Sequence, residues 1–166
     1  MAIVTKKFKS PSLGAVVDWI AWTLKGVYRI YHIIPLMWRL SSALAIRKIA
    51  ILGDPDQYDS LRNLLVDSGL FKEKNIHRIT DNEIGKVQTY TLLLMHWKSF
   101  GNHIEEVLRN KGDGTALIIY APYGDGPIDT SIMARMEKER NVVVVNFRGR
   151  LLNDMLTSLI TTSYYK

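Results

Sequence analysis

Five short apolar runs separated by helical patterns constrain the fold of this chain more than any other feature of its sequence. We predict strands at Lys48–Leu52, Ile76–Thr80, Thr91–His96, Ala116–Tyr120 and Val142–Phe147. Helical patterns lie between and after them at Tyr58–Ser68, Glu83–Thr89, Asn102–Asn110, Thr130–Arg140 and Leu151–Thr161. Strands that alternate with helices form parallel sheets, so this order predicts an α/β domain.

The apolar runs show no polar alternation. Residues 142–145 are four consecutive valines, a pattern typical of a strand buried on both faces of a parallel sheet. Because crossovers are right-handed, helices cover both faces, and we predict a five-stranded parallel, doubly wound sheet. Ligands in such folds bind beyond the carboxyl ends of the strands. The polar side chains at those ends are Asp54, Asp56, His96, Tyr120, Tyr123, Asp125, Asn146, Arg148 and Arg150.

The net charge of +6 is concentrated near the N-terminus. Residues 1–48 contain eight lysines and arginines against one acid, Asp18, whereas residues 49–166 contain fourteen bases and fifteen acids. We therefore divide the chain into a basic leader, residues 1–47, and an α/β domain, residues 48–166. The sequence has no cysteine, which excludes disulfides, thiolate metal sites and cysteine nucleophiles.

The leader pattern predicts an amphipathic helix, or two helices divided at Pro35. The side chains that we expect at a membrane or oligomer interface are Trp19, Trp22, Lys25, Arg29, Tyr31, Trp38 and Arg39. Charges interrupt every window long enough to cross a bilayer, and no small-residue cleavage site follows, so neither a simple span nor a secretory signal is expected. Two alternatives remain open. The helix lies in an anionic membrane interface, or its apolar face packs on the α/β domain or on a second copy of the chain.

Parts of the α/β domain resemble a known family. Residues 51–56 (Ile-Leu-Gly-Asp-Pro-Asp), followed by residues 61–69, resemble the opening of a CheY-like response-regulator receiver domain. Residues 115–125, which end in Tyr-Gly-Asp, are similar to the fourth strand of that family and its following loop. The resemblance implies a flavodoxin-like fold in which the acidic pair after the first strand, here Asp54 and Asp56, holds Mg²⁺.

The chain departs from the receiver pattern at the positions of that family's functional residues. Receivers place a phospho-accepting aspartate at the end of the third strand, where this chain has Met95 or His96. They place a serine or threonine at the end of the fourth strand, where Tyr120 and Ala121 stand, and a lysine after the fifth, where residues 145–147 are Val-Asn-Phe. The resemblance therefore implies a pseudo-receiver that signals through contacts and not through phosphorylation. Apart from Mg²⁺ at the acidic pair, we expect no cofactor.

A looser resemblance to TIR-like flavodoxin-fold effector domains implies a different function. That family places a glutamate on a late helix, for which Glu137 or Glu139 is available, and it implies a small nucleotide- or NAD-processing enzyme. The alternative is that both glutamates belong to a solvated helix surface. Neither a nucleophile elbow nor a Walker motif occurs, so a common hydrolase or NTPase is not expected.

Two groups of strand-end residues each admit two interpretations. Asp54 and Asp56 are either metal ligands or the N-cap and turn of the following helix. His96 either binds a ligand or acts as an acid or base, and the alternative is that it is a partly buried histidine whose ring nitrogens are satisfied within the protein.

The segment after the last strand is the most suggestive binding site. Two arginines and neighbouring donors at the start of a helix favour an anion or a docked partner. The residues of this site are Asn146, Arg148, Arg150, Tyr123 and Asp125. The alternative is that the arginines pair in solvent with Asp154 or Asp125.

These observations predict a non-catalytic signalling or effector module, and we assign it no catalytic residue. We expect the pseudo-receiver domain to self-associate or to dock a protein partner, and the leader to serve membrane association or assembly. The expected partners are a second copy of the chain, an anionic membrane surface and an unidentified protein. Nucleic acid is not expected, because the basic residues lie among apolar ones. The expected location is the cytoplasm, peripherally at the inner membrane face.

Overall fold

The computed structural model describes residue 14, residues 22–25, residue 28 and residues 46–162. Contacts within the chain divide it into two compact units, Met1–Ser41 and Ser42–Lys166, which are described separately. In the first unit, residues 22–25 are helical. Residues 14 and 28 are helical as well, and the other leader residues up to 45, Pro35 among them, lie outside the described residues.

The second unit contains the α/β domain. Its strands are β1 (Ile49–Leu52), β2 (Ile76–Ile79), β3 (Leu92–His96), β4 (Ala116–Tyr120) and β5 (Val142–Val145). Its α-helices are α1 (Pro55–Asp67), α2 (Trp97–Phe100), α3 (Ile104–Asn110), α4 (Thr130–Met136) and α5 (Arg148–Thr162). Short 3₁₀-helices lie at Glu73–Asn75, Asp81–Thr89, Gly101–His103 and Tyr123–Asp125.

All strand pairs are parallel, and the strand order is β2-β1-β3-β4-β5. This order defines a flavodoxin-like doubly wound sheet, which confirms the fold predicted from the sequence. The chain moves outward from β1 to β2 and then crosses back over β1 to β3. The direction of winding therefore reverses between β1 and β3, and a crevice opens at the carboxyl ends of these two strands.

Alternate residues of each strand enter cores on opposite faces of the sheet. In β1, Ile49 and Ile51 belong to one core, and Ala50 and Leu52 belong to the other. Side chains of α1 and α5 cover the first face, and those of the 3₁₀-helix at Asp81–Thr89, α3 and α4 cover the second. Burial on both faces is the physical reason why the strand sequences are apolar without alternation.

Some element boundaries differ from the prediction. The helix predicted over residues 83–89 is a 3₁₀-helix. The last helix begins at Arg148 and not at Leu151, because the Arg150 amide donates to the Phe147 carbonyl at 3.0 Å and closes an earlier turn. Both arginines of the predicted binding segment therefore lie in the first turn of α5.

The helix before β5 is also shorter than predicted. It ends at Met136, and Asn141 then adopts a positive φ of 58° immediately before β5. Asparagine tolerates this left-handed conformation better than most residues. The turn at Asn141 thus replaces the last part of the predicted helix over Thr130–Arg140.

Candidate functional site

The ends of β1 and β3 lie directly against each other at the switch point of the sheet. Gly53, which follows β1, is buried. A Cβ atom at Gly53 would lie 3.5 Å from His96 Cβ and 3.6 Å from Ser99 Oγ, which is ordinary van der Waals contact. The side chains that follow β3 therefore line the crevice in which flavodoxin-like folds bind ligands.

His96 occupies the centre of this crevice. It is the last residue of β3 and is only 4% exposed. Ser99 Oγ lies 2.8 Å from the imidazole Nδ1, and Asp125 Oδ2 lies 3.1 Å from Nε2. The ring also stacks at a tilt on Tyr120, with centroids 5.9 Å apart. His96 is thus a buried histidine with a polar neighbour at each ring nitrogen.

The Asp125 carboxylate lies between the side chains of His96 and Lys98. Its Oδ1 lies 3.7 Å from Lys98 Nζ, while its Oδ2 faces His96. The 3.1 Å contact with His96 is close but not aligned as a hydrogen bond. Among the described residues, no donor satisfies the buried Oδ2. A carboxylate at this distance favours a proton on Nε2, which leaves Nδ1 to accept from the Ser99 hydroxyl.

The arrangement of the Ser99, His96 and Asp125 side chains is compatible with nucleophilic catalysis. A hydroxyl, an imidazole and a carboxylate within such distances resemble a nucleophile, its base and the group that orients the base. However, Ser99 follows His96 by only three residues and lies in the single turn of α2, so the contact is also a local one between side chains at the start of this helix. The arrangement therefore fits a local structural role as well as a catalytic one.

A groove of about 460 Å³ adjoins this cluster between α2, α3 and the segment after β4. Lys98, Asn102, Glu105 and Asp125 contribute its polar lining, and Trp97 and Ile132 contribute apolar surface. Charges of both signs line the groove, so it has no single electrostatic preference.

The predicted Mg²⁺ pair does not form a ligand cluster. Asp54 is the N-cap of α1, and its Oδ1 accepts a hydrogen bond from the Gln57 amide at 3.0 Å. Asp56 lies in the exposed first turn of the same helix. In the part of the chain that the structure describes, no three histidine, aspartate or glutamate side chains are placed to share a metal ion. The geometry of Asp54 is that of the helix-capping alternative.

Tyr123 and Phe147 form an exposed aromatic pair at the ends of β4 and β5. Their ring centroids are 5.2 Å apart at an interplanar angle of 75°, the edge-to-face arrangement. The two residues are 71% and 54% exposed. The sequence predicts Tyr123 as a site residue but does not single out Phe147. An aromatic residue between Asn146 and Arg148 was the available signal.

The arginines of the predicted anion site have separate partners. Arg148 Nη2 donates to the Ser60 carbonyl of α1 at 2.8 Å. Arg150 Nη2 lies 3.9 Å from Asp154 Oδ1, one helical turn along α5. Asn146 is half-buried beside them. The structure thus places these residues at one edge of the sheet but does not direct the two guanidinium groups at a common point.

Glu137 and Glu139 lie at the opposite edge of the sheet from Arg148. They follow α4 and precede β5, and in a parallel sheet the chain enters every strand at the amino edge. Glu137 is exposed, and Glu139 pairs with Arg135. The crevice at the carboxyl edge therefore contains neither glutamate.

Asp129 caps α4, the helix that leads from the carboxyl edge towards β5. Its Oδ1 accepts a hydrogen bond from the Ser131 amide at 2.8 Å and another from the Ser131 hydroxyl. The hydroxyl bond, with help from the amide, holds the pKa of the Asp129 carboxyl below its ordinary value.

Most of the described leader residues are exposed, and Thr23 and Arg47 are half-buried. Trp22 is 76% exposed, and Lys25 is also exposed. The other predicted interface residues, Trp19, Arg29, Tyr31, Trp38 and Arg39, lie outside the described residues. No helix among the residues that could be searched has both the length and the apolar content to cross a membrane.

Comparison with models of known protein families found no match for this chain, and comparison with curated protein sequences found none either. The fold class consequently rests on the sheet order, and the candidate site rests on its geometry alone.

Proposed function

We propose that this chain is a non-catalytic signalling or effector module built on a pseudo-receiver domain. The domain docks a protein partner or a second copy of itself. The basic leader engages an anionic membrane surface or stabilises the assembly, which would place the protein peripherally at the inner face of the membrane.

The observation that supports this proposal best is the occupation of the switch point. Where receivers expose a phospho-accepting carboxylate, this chain has His96, buried between Ser99 and Asp125. An acyl phosphate cannot form on an imidazole, and Asp54 already serves as a helix cap.

The exposed aromatic pair supports docking over chemistry. Aromatic side chains are enriched in the buried centres of protein interfaces, where they contribute large contact areas. Tyr123 and Phe147 lie exposed beside the arginines of α5, a residue type that is also enriched at interfaces.

The first test measures binding of the full chain to vesicles and to itself. Vesicles with anionic lipid should sediment the protein, and salt should weaken binding because it screens charges at the surface. A Lys25→Glu/Arg29→Glu/Arg39→Glu variant should lose vesicle binding, and uncharged vesicles are the lipid control. A protein that neither binds anionic vesicles nor self-associates would contradict the proposal.

The second test asks whether the domain is a working receiver. Acetyl phosphate should leave the wild-type chain unlabelled. If the wild-type chain is labelled and the Asp54→Asn/Asp56→Asn variant is not, the domain is an ordinary receiver, and the pseudo-receiver proposal is wrong.

A hydrolytic or NAD-processing enzyme is the second candidate, favoured by the distances among Ser99, His96 and Asp125. Incubation with NAD, with nucleotides and with a serine-reactive phosphonate tests it. Turnover that is lost in Ser99→Ala but retained in Glu137→Ala would identify a catalyst that uses this cluster. Turnover lost in Glu137→Ala would instead favour the TIR-like mechanism.

A further inference from the structure

The groove between α2, α3 and the segment after β4 has the size and the position of a small-molecule site. Its volume of about 460 Å³ falls within the range of ligand pockets, about 300–1,000 Å³. It lies at the carboxyl edge of the sheet, beside the end of β3, where doubly wound folds bind ligands. Tyr123 and Phe147 do not line it, so docking at the aromatic pair leaves the groove free.

The indole ring of Trp97 and two isoleucines form the apolar part of the groove. A Cβ atom at Gly101 would lie 2.9, 3.0 and 3.1 Å from three atoms of the six-membered ring of Trp97. The ring therefore lies directly over Gly101, and any larger residue there would displace it. Ile104 of α3 and Ile132 of α4 add aliphatic surface. Such a lining favours a ligand with an apolar or aromatic side chain.

The charged side chains of the groove have both signs. Lys98, Glu105 and Asp125 line it. Arg135 Nε lies 3.8 Å from Glu105 Oε2 and offsets part of that charge, although Arg135 also pairs with Glu139. A ligand with only negative charge would be repelled by Asp125, and a ligand with only positive charge would be repelled by Lys98. A ligand that carries one charge of each sign avoids both repulsions.

Lys98 and Asp125 are too far apart to satisfy each other. Lys98 Nζ lies 3.7 Å from Asp125 Oδ1, which is beyond hydrogen-bond distance. Asp125 Oδ2 is buried and faces His96, so Oδ1 is the oxygen that remains for a ligand. In an α-amino acid, the ammonium nitrogen and the carboxylate carbon are about 2.5 Å apart. One such molecule is compact enough to reach both side chains at once.

We infer that this groove binds a free amino acid with an apolar side chain. The carboxylate of the ligand pairs with Lys98 and accepts a hydrogen bond from the Asn102 amide, and its ammonium group donates to Asp125 Oδ1. Its side chain packs against Trp97 and Ile132. The inference goes beyond the proposed function and does not depend on it, because a partner can dock at the aromatic pair whether or not the groove is occupied.

The experiment titrates leucine and phenylalanine into the full chain by isothermal titration calorimetry. Both should bind, whereas glycine should bind at least about tenfold more weakly because it buries no apolar side chain. Leucinamide keeps only the ammonium group, and N-acetylleucine keeps only the carboxylate. Each should also bind at least about tenfold more weakly than leucine, because one charged side chain of the groove then lacks its partner. These two compounds carry the charges of the two ends of a polypeptide, so they distinguish a docked chain terminus from a free amino acid.

Two substitutions test the charged and the apolar parts of the groove. Lys98→Met should weaken leucine binding at least about tenfold and should remove the difference between leucine and leucinamide, which a merely structural role of Lys98 would not do. Gly101→Ala should displace Trp97 and weaken all apolar ligands alike. Lys74→Met, at an exposed lysine that does not line the groove, is the matched control and should leave binding unchanged. Circular dichroism checks the fold of each variant, and if Gly101→Ala fails to fold, the result for Lys98→Met stands by itself.

Each outcome decides for or against this site. Binding of leucine and phenylalanine that is weakened by Lys98→Met and not by Lys74→Met supports the inference. The absence of binding at millimolar concentration overturns it, and so does leucine binding that Lys98→Met leaves unchanged. Stronger binding of leucinamide or N-acetylleucine than of leucine also overturns it and shows that the groove takes the end of a polypeptide. None of these results changes the vesicle or self-association measurements, so the failure of the amino-acid site is distinguishable from the failure of the proposed function.

Discussion

At the end of β3, His96 is 4% exposed between Ser99 and Asp125, whereas Tyr123 and Phe147, further along the same edge, are 71% and 54% exposed. Both regions consist of polar and aromatic side chains at strand ends. In the first region, the side chains contact one another, and breaking these contacts would lower the free energy of unfolding. In the second, the rings contact mainly each other and leave their outer surfaces to solvent.

The comparison assigns different roles to the two groups of strand-end residues. A buried histidine beside a carboxylate belongs to the folding of the domain, and its removal should be seen in stability. An exposed aromatic pair adds little to stability, so its removal should be seen in association. Substitutions can separate these two roles.

His96→Ala should have the largest effect. It removes the neighbour of the buried Asp125 Oδ2, and we expect a loss of about 2–3 kcal/mol in the free energy of unfolding, measured with urea. His77→Ala, at an exposed histidine of β2, is the control and should change stability by less than about 0.5 kcal/mol. Equal stability of the two variants would contradict the structural role of His96.

Asp54→Ala should cost about 1 kcal/mol, because the Gln57 amide loses its cap, and Asp54→Asn should restore most of this loss. Asp56→Ala is the matched control. Mg²⁺ should not change the melting temperature of any of these proteins. Stabilisation of the wild type by Mg²⁺ that disappears in Asp54→Ala would instead identify a metal site.

The two arginines of α5 should differ from each other. Arg148→Ala removes the bond to the Ser60 carbonyl and should cost about 0.5–1 kcal/mol. Arg150→Ala, whose partner Asp154 is 3.9 Å away, should cost less than about 0.5 kcal/mol. Urea unfolding measures both. Strong stabilisation of the wild type by sulfate, lost in either variant, would show that the two guanidinium groups act together.

Tyr123→Ala and Phe147→Ala should each change the free energy of unfolding by less than about 0.5 kcal/mol, because both rings are exposed. A double-mutant cycle measures the interaction between the rings. A cost comparable to that of His96→Ala would place the pair in the core of the domain and remove the contrast between the two regions.

The smallest expected effect is confined to acid pH. Hydrogen bonds from Ser131 hold the pKa of Asp129 below its ordinary value, so its contribution to stability is full above that ordinary value and disappears as pH falls through the lowered one. Ser131→Ala should therefore be less stable than the wild type at neutral pH and equal to it in strong acid. Unfolding measured across this range tests the sign, and a deficit that grows in acid would contradict it.

The sequence by itself determined the α/β fold, because strands buried on both faces must be apolar throughout and helices must alternate with them in a parallel sheet. The runs at residues 49–52 and 142–145 show this directly. The capping alternative for Asp54 was also available from its place before Pro55.

Only the tertiary structure decided which strand ends meet. Ser99 and Asp125 are separated by β4 and α3 in the chain, yet both contact His96. The partners of Arg148 and the exposure of Phe147 likewise depend on where α5 lies against α1. Apart from the local contact of His96 with Ser99, these contacts join residues distant in sequence. A periodic pattern specifies which face of an element is buried but not which neighbouring side chain it will touch.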